Sequence, residues 1–342
     1  MRYRTLGTSG ITVSTLGLGT MMMGAWGNED EAECRQMVHA ALDAGINFVD
    51  TADVYAAGQT EEILGRALKG RRDNVVLATK FHQPMGPDPN ERGNSRRWIV
   101  RAVEGSLRRL QTDWIDLYQV HRPDQDCDID QTLSALTDLV RQGKVRAIGT
   151  STFPAEQIVH AQWVAERRQR ERFVAEQAPY SLFTRAAEAS VLPTCQQFDV
   201  GVVVWSPLNG GWLTGKYRRG ADLPAGSRAA RHPDHFDGSD DARVRKFALV
   251  ERLLELSEHT ALPVIQLALA FVLEHPAVSS AIIGPRTLRQ LLDQLPAADV
   301  QLEPAVLDQL DAVVPAGTNV TPTDVGWTPP ALEPAARRRP RP

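Results

Sequence analysis

Four side chains carry the chemistry that this sequence offers: Asp50, Tyr55, Lys80 and His121. A phenol has an ordinary pKa of about 10 and exchanges its proton poorly near neutrality. An ammonium in contact favours the phenolate and lowers that pKa, and Lys80 can supply one. Asp50 would hold the lysine charged and oriented, and His121 could orient a carbonyl oxygen or share a proton relay. Such a donor set, with no metal-ligand set and no activated Ser or Cys beside it, suits reduction of a carbonyl. The hydride would come from a nicotinamide, which the protein must hold. Taken singly, each residue has a plainer reading. A lone Asp or Lys is usually a surface ion pair worth about 0–1 kcal/mol, and a lone Tyr is usually packing.

The elements around these residues give the set its weight. Gly45 stops a helix, a short apolar strand runs over 47–49, and a loop carries Asp50 and Tyr55. Lys80 ends the apolar run 75–79, and His121 ends the run 115–120. Further strands are expected over 16–20, 145–149, 173–177, 200–205 and 281–283, each followed by a helical pattern. Asn28, with Glu31 three residues on, reads as a capping box opening the first helix. Residues 1–14 read as a hairpin that turns at Gly7–Gly10. Helical crossovers between strands imply parallel pairing. Eight such units closing on themselves make an α/β fold, the (β/α)8 TIM barrel, with chemistry at the C-terminal ends of the strands. The competing open doubly wound sheet is weakened because no G-x-G-x-x-G follows the first strand. Under the barrel reading Asp50, Lys80, His121, Ser151, Gln177, Trp205 and Gly284 face one rim. Ser151 and Gln177 could hydrogen-bond a carboxamide, and Trp205 could stack a flat ring.

Composition narrows the classes. The chain has 342 residues, with 38 basic against 42 acidic side chains and a net charge of −4. No strong field points to nucleic acid or to a membrane. No apolar leader and no run of about 18 apolar residues is visible, so a cytoplasmic protein is expected. Cys34, Cys127 and Cys195 are few and widely spaced, which suits reduced thiols. The connection 206–242 is long, polar and rich in Gly and Arg, as functional loops are. The barrel is expected over 1–314. The tail 315–342 is rich in Pro and Arg and reads as a loosely attached segment, the minority alternative being that Trp327 folds over the barrel mouth. Oligomeric state is left open.

Several long blocks, in order, resemble the aldo-keto reductase superfamily. They are 45–55, 113–124, 144–151, the Ser-Pro-Leu of 206–208 running on to Leu-Thr-Gly-Lys-Tyr at 213–217, and 283–287. The resemblance covers about residues 2–313 and implies a (β/α)8 barrel with a tetrad of Asp50, Tyr55, Lys80 and His121. It implies NADPH held across the rim without a Rossmann motif. Thr20, Met21 and Asp50 would lie on the cofactor path; Ser151, Thr152 and Gln177 would meet the carboxamide and Trp205 the nicotinamide face. Ser206, Pro207, Leu208, Gly211 and Lys216 would follow the pyrophosphate, with Gly284 at the last strand end. Arg228 and Arg286 would meet adenosine phosphates, and Gln290 and Gln294 would lie near adenine. Thr152 and Gln294 depart from the family pattern, which often has Asn at both places. The branch resembled includes bacterial oxidoreductases and potassium-channel β-subunits, so a redox-sensing partner protein with slow turnover is the alternative function. Those β-subunits carry Asn where His121 stands, which favours an enzyme here. A lyase using Lys80 as a Schiff base is disfavoured, because Asp50 nearby would keep the lysine charged.

Overall fold

Strands buried on both faces must be built from small and branched apolar residues, and here they are. The computed structural model describes residues 1–222, 224, 226–231, 236, 241–329 and 332. Its strands are β1 (Tyr3–Thr5), β2 (Thr12–Ser14), β3 (Leu16–Gly19), β4 (Phe48–Asp50), β5 (Val76–Phe81), β6 (Ile115–Val120), β7 (Val145–Ser151), β8 (Phe173–Pro179), β9 (Gly201–Trp205) and β10 (Val278–Ile283). The helices are α1 (Glu31–Asp43), α2 (Gln59–Ala67), α3 (Arg96–Leu110), α4 (Ile129–Arg141), α5 (Ala155–Arg168), α6 (Val191–Gln197), α7 (Arg228–Arg231), α8 (Asp241–Thr260), α9 (Val264–Glu274), α10 (Leu288–Gln294) and α11 (Pro304–Val313). β3 to β10 form a closed barrel in which β10 pairs in parallel with both β3 and β9. Closure excludes the open doubly wound sheet. No single helix among the described residues is long and apolar enough to cross a membrane.

The hairpin β1–β2 is antiparallel and plugs the N-terminal end of the barrel. Leu6 and Val13 share one apolar cluster with Phe48, Ala78, Leu117, Ala147, Ala175, Val203 and Ile282 from seven barrel strands. Gly7 makes the plug possible: its φ is +53°, and a Cβ there would lie 2.3 Å from the Val174 carbonyl oxygen. Side chains alternate along a strand, so residues two positions beyond that layer face the same interior. They are Asp50, Lys80, Gln119, Gly149, Gln177, Trp205 and Gly284. The apolar bottom layer therefore fixes a polar layer one step above it.

Three differences from the sequence expectation matter. β4, β5 and β7 run on through Asp50, Lys80 and Ser151, so these side chains stand on rigid strand and not on loop. The first helix is capped by Asp30, whose carboxylate accepts from the N–H groups of Ala32 and Glu33, so Asn28 is not the cap. Asn28 instead donates to Glu33 Oε2 at 2.8 Å and to the Arg286 carbonyl at 2.9 Å, tying the β3 loop to the β10 loop across the barrel seam. Finally, residues 318–326 are seated on the barrel instead of hanging loose. Asn319 bridges to Thr184, Val320 is buried and donates its N–H to Phe183 O at 2.9 Å, and Asp324 accepts from Lys246 Nζ at 2.7 Å. Trp327 is half-buried. The terminal arginines from Arg337 to Arg341 lie outside the described residues.

Candidate active site

The polar layer is organised by one ion pair. Lys80 is fully buried, and its Nζ donates to Asp50 Oδ2 at 2.6 Å, to the Thr51 carbonyl at 2.8 Å and to Tyr55 Oη at 3.3 Å. An ammonium has three donors, and these contacts use all three. The other carboxylate oxygen, Asp50 Oδ1, accepts from Gln177 Nε2 at 2.8 Å and from Gln119 Nε2 at 3.2 Å. A buried pair tolerates its desolvation only with this degree of satisfaction. Tyr55 follows the β4 loop, with Trp26 on one side at 5.9 Å and His121 edge-on at 6.0 Å between ring centroids. His121 is held by its own N–H donating to Phe81 O at 2.9 Å.

Burial and charge set the protonation states. Burial pushes the Tyr55 phenol up, and the Lys80 ammonium only partly offsets this, so the net shift is upward and not downward as the ammonium contact alone suggested. Burial is the largest single influence on Lys80 and works against its charge, but the charges and hydrogen bonds of Asp50 and Tyr55 together outweigh it and the net shift is again upward. His121 is driven well below the ordinary imidazole value by burial, and then by the positive charges of Lys80 and Arg122. The resting site thus holds a neutral phenol, an ammonium and a neutral imidazole.

From this centre a cleft of about 1510 Å³ runs across the mouth. Thr20, Met21, Asp50, Ser151, Gln177, Trp205, Ser206, Pro207, Leu208, Gly211, Lys216, Arg228, Gly284, Arg286, Gln290 and Gln294 all line it, with Tyr55 and His121. Lys80 lies behind Tyr55 and does not reach the cleft wall. Thr152 is the exception among the expected cofactor contacts: it is buried and outside the lining. Its backbone sits at φ +62° with its N–H on Gln177 O at 3.0 Å. Asn tolerates that left-handed geometry better than a β-branched residue does. The Gln177 amide nitrogen donates to Asp50 Oδ1 and Gln119 Oε1.

The cleft suits an extended, polyanionic ligand. A Cβ added at Gly284 would meet nothing within 4 Å, which leaves the β10 end open to close approach. Trp205 Nε1 and Gln294 Oε1 are buried without partners among the described residues. Lys216, Arg228, Arg231, Arg243 and Arg286 all line the cleft, and Arg228, Arg231 and Arg286 lie close enough to act on one another. The Arg231 guanidinium is lowered by burial, then by Arg286 and Arg228. Ser206 (φ +56°) and Asn209 (φ +47°) bend the β9 loop toward the cleft.

Sequence reasoning missed Gln119, Arg122, Arg231, Lys246 and Asp324. Gln119 was recoverable, because it stands two residues beyond Leu117 of the bottom layer. Arg122 follows His121 directly. Lys246 and Asp324 meet only through tertiary packing, and no local pattern marks them.

The family model for the aldo/keto reductase family matches residues 15–315. The chain belongs to that family, which makes it an oxidoreductase in class. Among its relatives, the uncharacterized oxidoreductase YrpG of Bacillus subtilis (strain 168) is 41% identical over 96% of this chain and 100% of its own. A probable voltage-gated potassium channel subunit beta of Oryza sativa subsp. japonica is 38% identical, covering 92% of this chain and 97% of its own. The aldo-keto reductase YhdN of Bacillus subtilis (strain 168) is 38% identical over 85% and 87% of the two chains.

Proposed function

We propose that this protein reduces an aldehyde or ketone to an alcohol with NADPH, Tyr55 acting as general acid. The observation that carries the reading is the shared contact of Lys80 Nζ with Asp50 Oδ2 at 2.6 Å and Tyr55 Oη at 3.3 Å. A phenol held neutral by burial keeps its proton until a stronger base develops beside it. An alkoxide forming from a carbonyl is such a base, and Lys80 stabilises the phenolate left behind. Asp50 keeps Lys80 charged. The neutral imidazole of His121 can offer an N–H to the carbonyl oxygen without a further positive charge. Donors fixed in advance at the developing charge supply the rate enhancement.

The nicotinamide, when bound, supplies the hydride. Thr20, Met21, Ser151, Trp205 and the β9 loop residues Ser206, Pro207, Leu208, Gly211 and Lys216 would hold the cofactor, with Gly284 beside it. Arg228 and Arg286 would take its phosphates, and Gln290 and Gln294 its adenine. The mutual proximity of Arg228, Arg231 and Arg286 in the cleft lining supports this assignment. The test is NADPH oxidation with an activated aromatic aldehyde. Tyr55→Phe is expected to lose turnover by about 100-fold or more while still binding NADPH; unchanged turnover would remove Tyr55 as the acid.

A second reading has its own support in the rice β-subunit relative, which aligns along almost the whole chain. In that reading the protein is a slow, redox-sensing partner of another protein. Wild-type protein that binds NADPH yet turns over none of a panel of carbonyls would favour it.

A further inference from the structure

Arg122 is a charged group at the mouth whose hydrogen-bond donors the reduction chemistry leaves unused. It follows His121 at the end of β6, is half-buried, and lines the cleft with Tyr55 and His121. Its Nη1 donates to the His121 carbonyl at 2.6 Å, and that is the one hydrogen bond of the guanidinium among the described residues. A guanidinium has five N–H donors in a fork that fits a carboxylate. A cation drawn out of water with one partner is costly unless something anionic completes it. Glu176 lies near enough for its charge to act on Arg122, but no carboxylate among the described residues hydrogen-bonds the guanidinium, and those nearby spend their hydrogen bonds on other groups. Asp50 is held by Lys80, Asp324 by Lys246 and Asn209, and Glu176 by Thr150 and the N–H of Phe153. The tail walls the mouth at the same spot. A Cβ placed on Gly326 would lie 2.7 Å from Trp205 Cη2 and 3.8 Å from Arg122 Nη2, so only glycine lets the backbone come this close.

We propose that Arg122 anchors an anionic group on the substrate, and that the substrates are aldehydes or ketones bearing a carboxylate. The proposal rests on the reductase reading of Tyr55. Carboxylate and guanidinium would pair in a charge-assisted, two-pronged contact inside the mouth. Recognition of a group by buried polar partners discriminates far more sharply than an extra methylene in an apolar pocket.

The test compares matched pairs, 3- and 4-carboxybenzaldehyde against 3- and 4-methylbenzaldehyde, with wild type, Arg122→Gln and Arg122→Lys. Wild type is expected to favour the carboxylated member by at least about tenfold in kcat/KM. Arg122→Gln should collapse that ratio toward one, chiefly through KM, and Arg122→Lys should keep part of it. A wild-type ratio at or below one, or a ratio unchanged in Arg122→Gln, overturns the proposal. Calorimetric titration of 4-carboxybenzyl alcohol and 4-methylbenzyl alcohol into NADPH-saturated protein separates the two readings. Carboxylate-selective binding that is lost in Arg122→Gln supports the anchor even where no aldehyde turns over, and then it is the reductase reading that fails. Equal binding of the two alcohols overturns the anchor.

Discussion

Burial decides which groups around Tyr55 carry charge, and one of them titrates near neutrality. Glu176 is fully buried beside Gln177, bonded to Thr150 Oγ1 and the Phe153 N–H. Burial raises its pKa from 4.5 to about 7, and the hydrogen bonds only partly offset this. Between those values the folded state binds more protons than the unfolded chain, so stability falls as pH rises. The contribution is complete below 4.5 and is lost as pH passes about 7. Its size is on the order of 3 kcal/mol. Glu176→Gln keeps the shape without the charge. It is expected to melt above wild type at pH 8 and level with it at pH 5, measured by thermal unfolding across that range. An equal difference at both pH values would show that the carboxylate does not titrate in this window. The roles of single residues were only partly legible in the sequence. The types of Asp50, Tyr55, Lys80 and His121 suggested the proton chemistry, but the direction of the Tyr55 shift depends on burial, which no spacing encodes.

The strands hold the chemistry still, and the loops and tail shape access to it. Alternation of apolar runs with helical patterns made the barrel strands readable, and β3, β6, β7 and β8 start where the pattern says. Strand ends were read short at β4, β5 and β7 because Asp50, Lys80 and Ser151 are polar. Inside a closed barrel mouth, polar residues continue a strand. Residues 318–326 of the tail were misread for a similar reason: proline-rich composition says nothing of docking. Asp324 receives Lys246 Nζ at 2.7 Å and Asn209 Nδ2 at 3.0 Å, and Asn209 belongs to the same loop as Ser206 and Leu208. The clasp therefore joins the tail, the start of α8 and the β9 loop. Asp324→Ala is expected to loosen this clasp by about 1–2 kcal/mol, the worth of hydrogen bonds to a charged group. Chymotryptic cleavage at Trp327 should then quicken roughly 5- to 30-fold, since cutting tracks local opening. Circular dichroism of the barrel should not change. Cleavage at the wild-type rate would mean that the tail is held by Val320 and Asn319 without the clasp.

At the scale of the whole molecule, closure of the barrel sets one edge of the cofactor cleft against the other. Asn28 beyond β3 and Arg286 beyond β10 are joined across the seam by the Asn28 Nδ2 contact with the Arg286 carbonyl, and Arg286 also reaches Gly226 O with its guanidinium. The main-chain N–H of Arg286 donates to Gln290 Oε1 at 2.8 Å, which fixes its backbone independently of its side chain. Arg286→Ala should therefore remove the charge while leaving the seam closed. A ligand that binds only the folded barrel raises its stability by about 2.7 kcal/mol at 100 times its dissociation constant. NADPH differs from NADH by one phosphate, and a guanidinium pairs with phosphate through two parallel hydrogen bonds. If Arg286 meets that phosphate, the thermal shift given by NADPH in the variant should fall to the level given by NADH, and the NADH shift should stay near its wild-type value. That corresponds to a loss of roughly 10-fold or more in NADPH affinity, for a charge-assisted contact of about 1.5–3 kcal/mol. Equal losses for both nucleotides would mean that Arg286 serves the pyrophosphate or the loop, and the preference for NADPH would then have to come from Arg228 or Arg231.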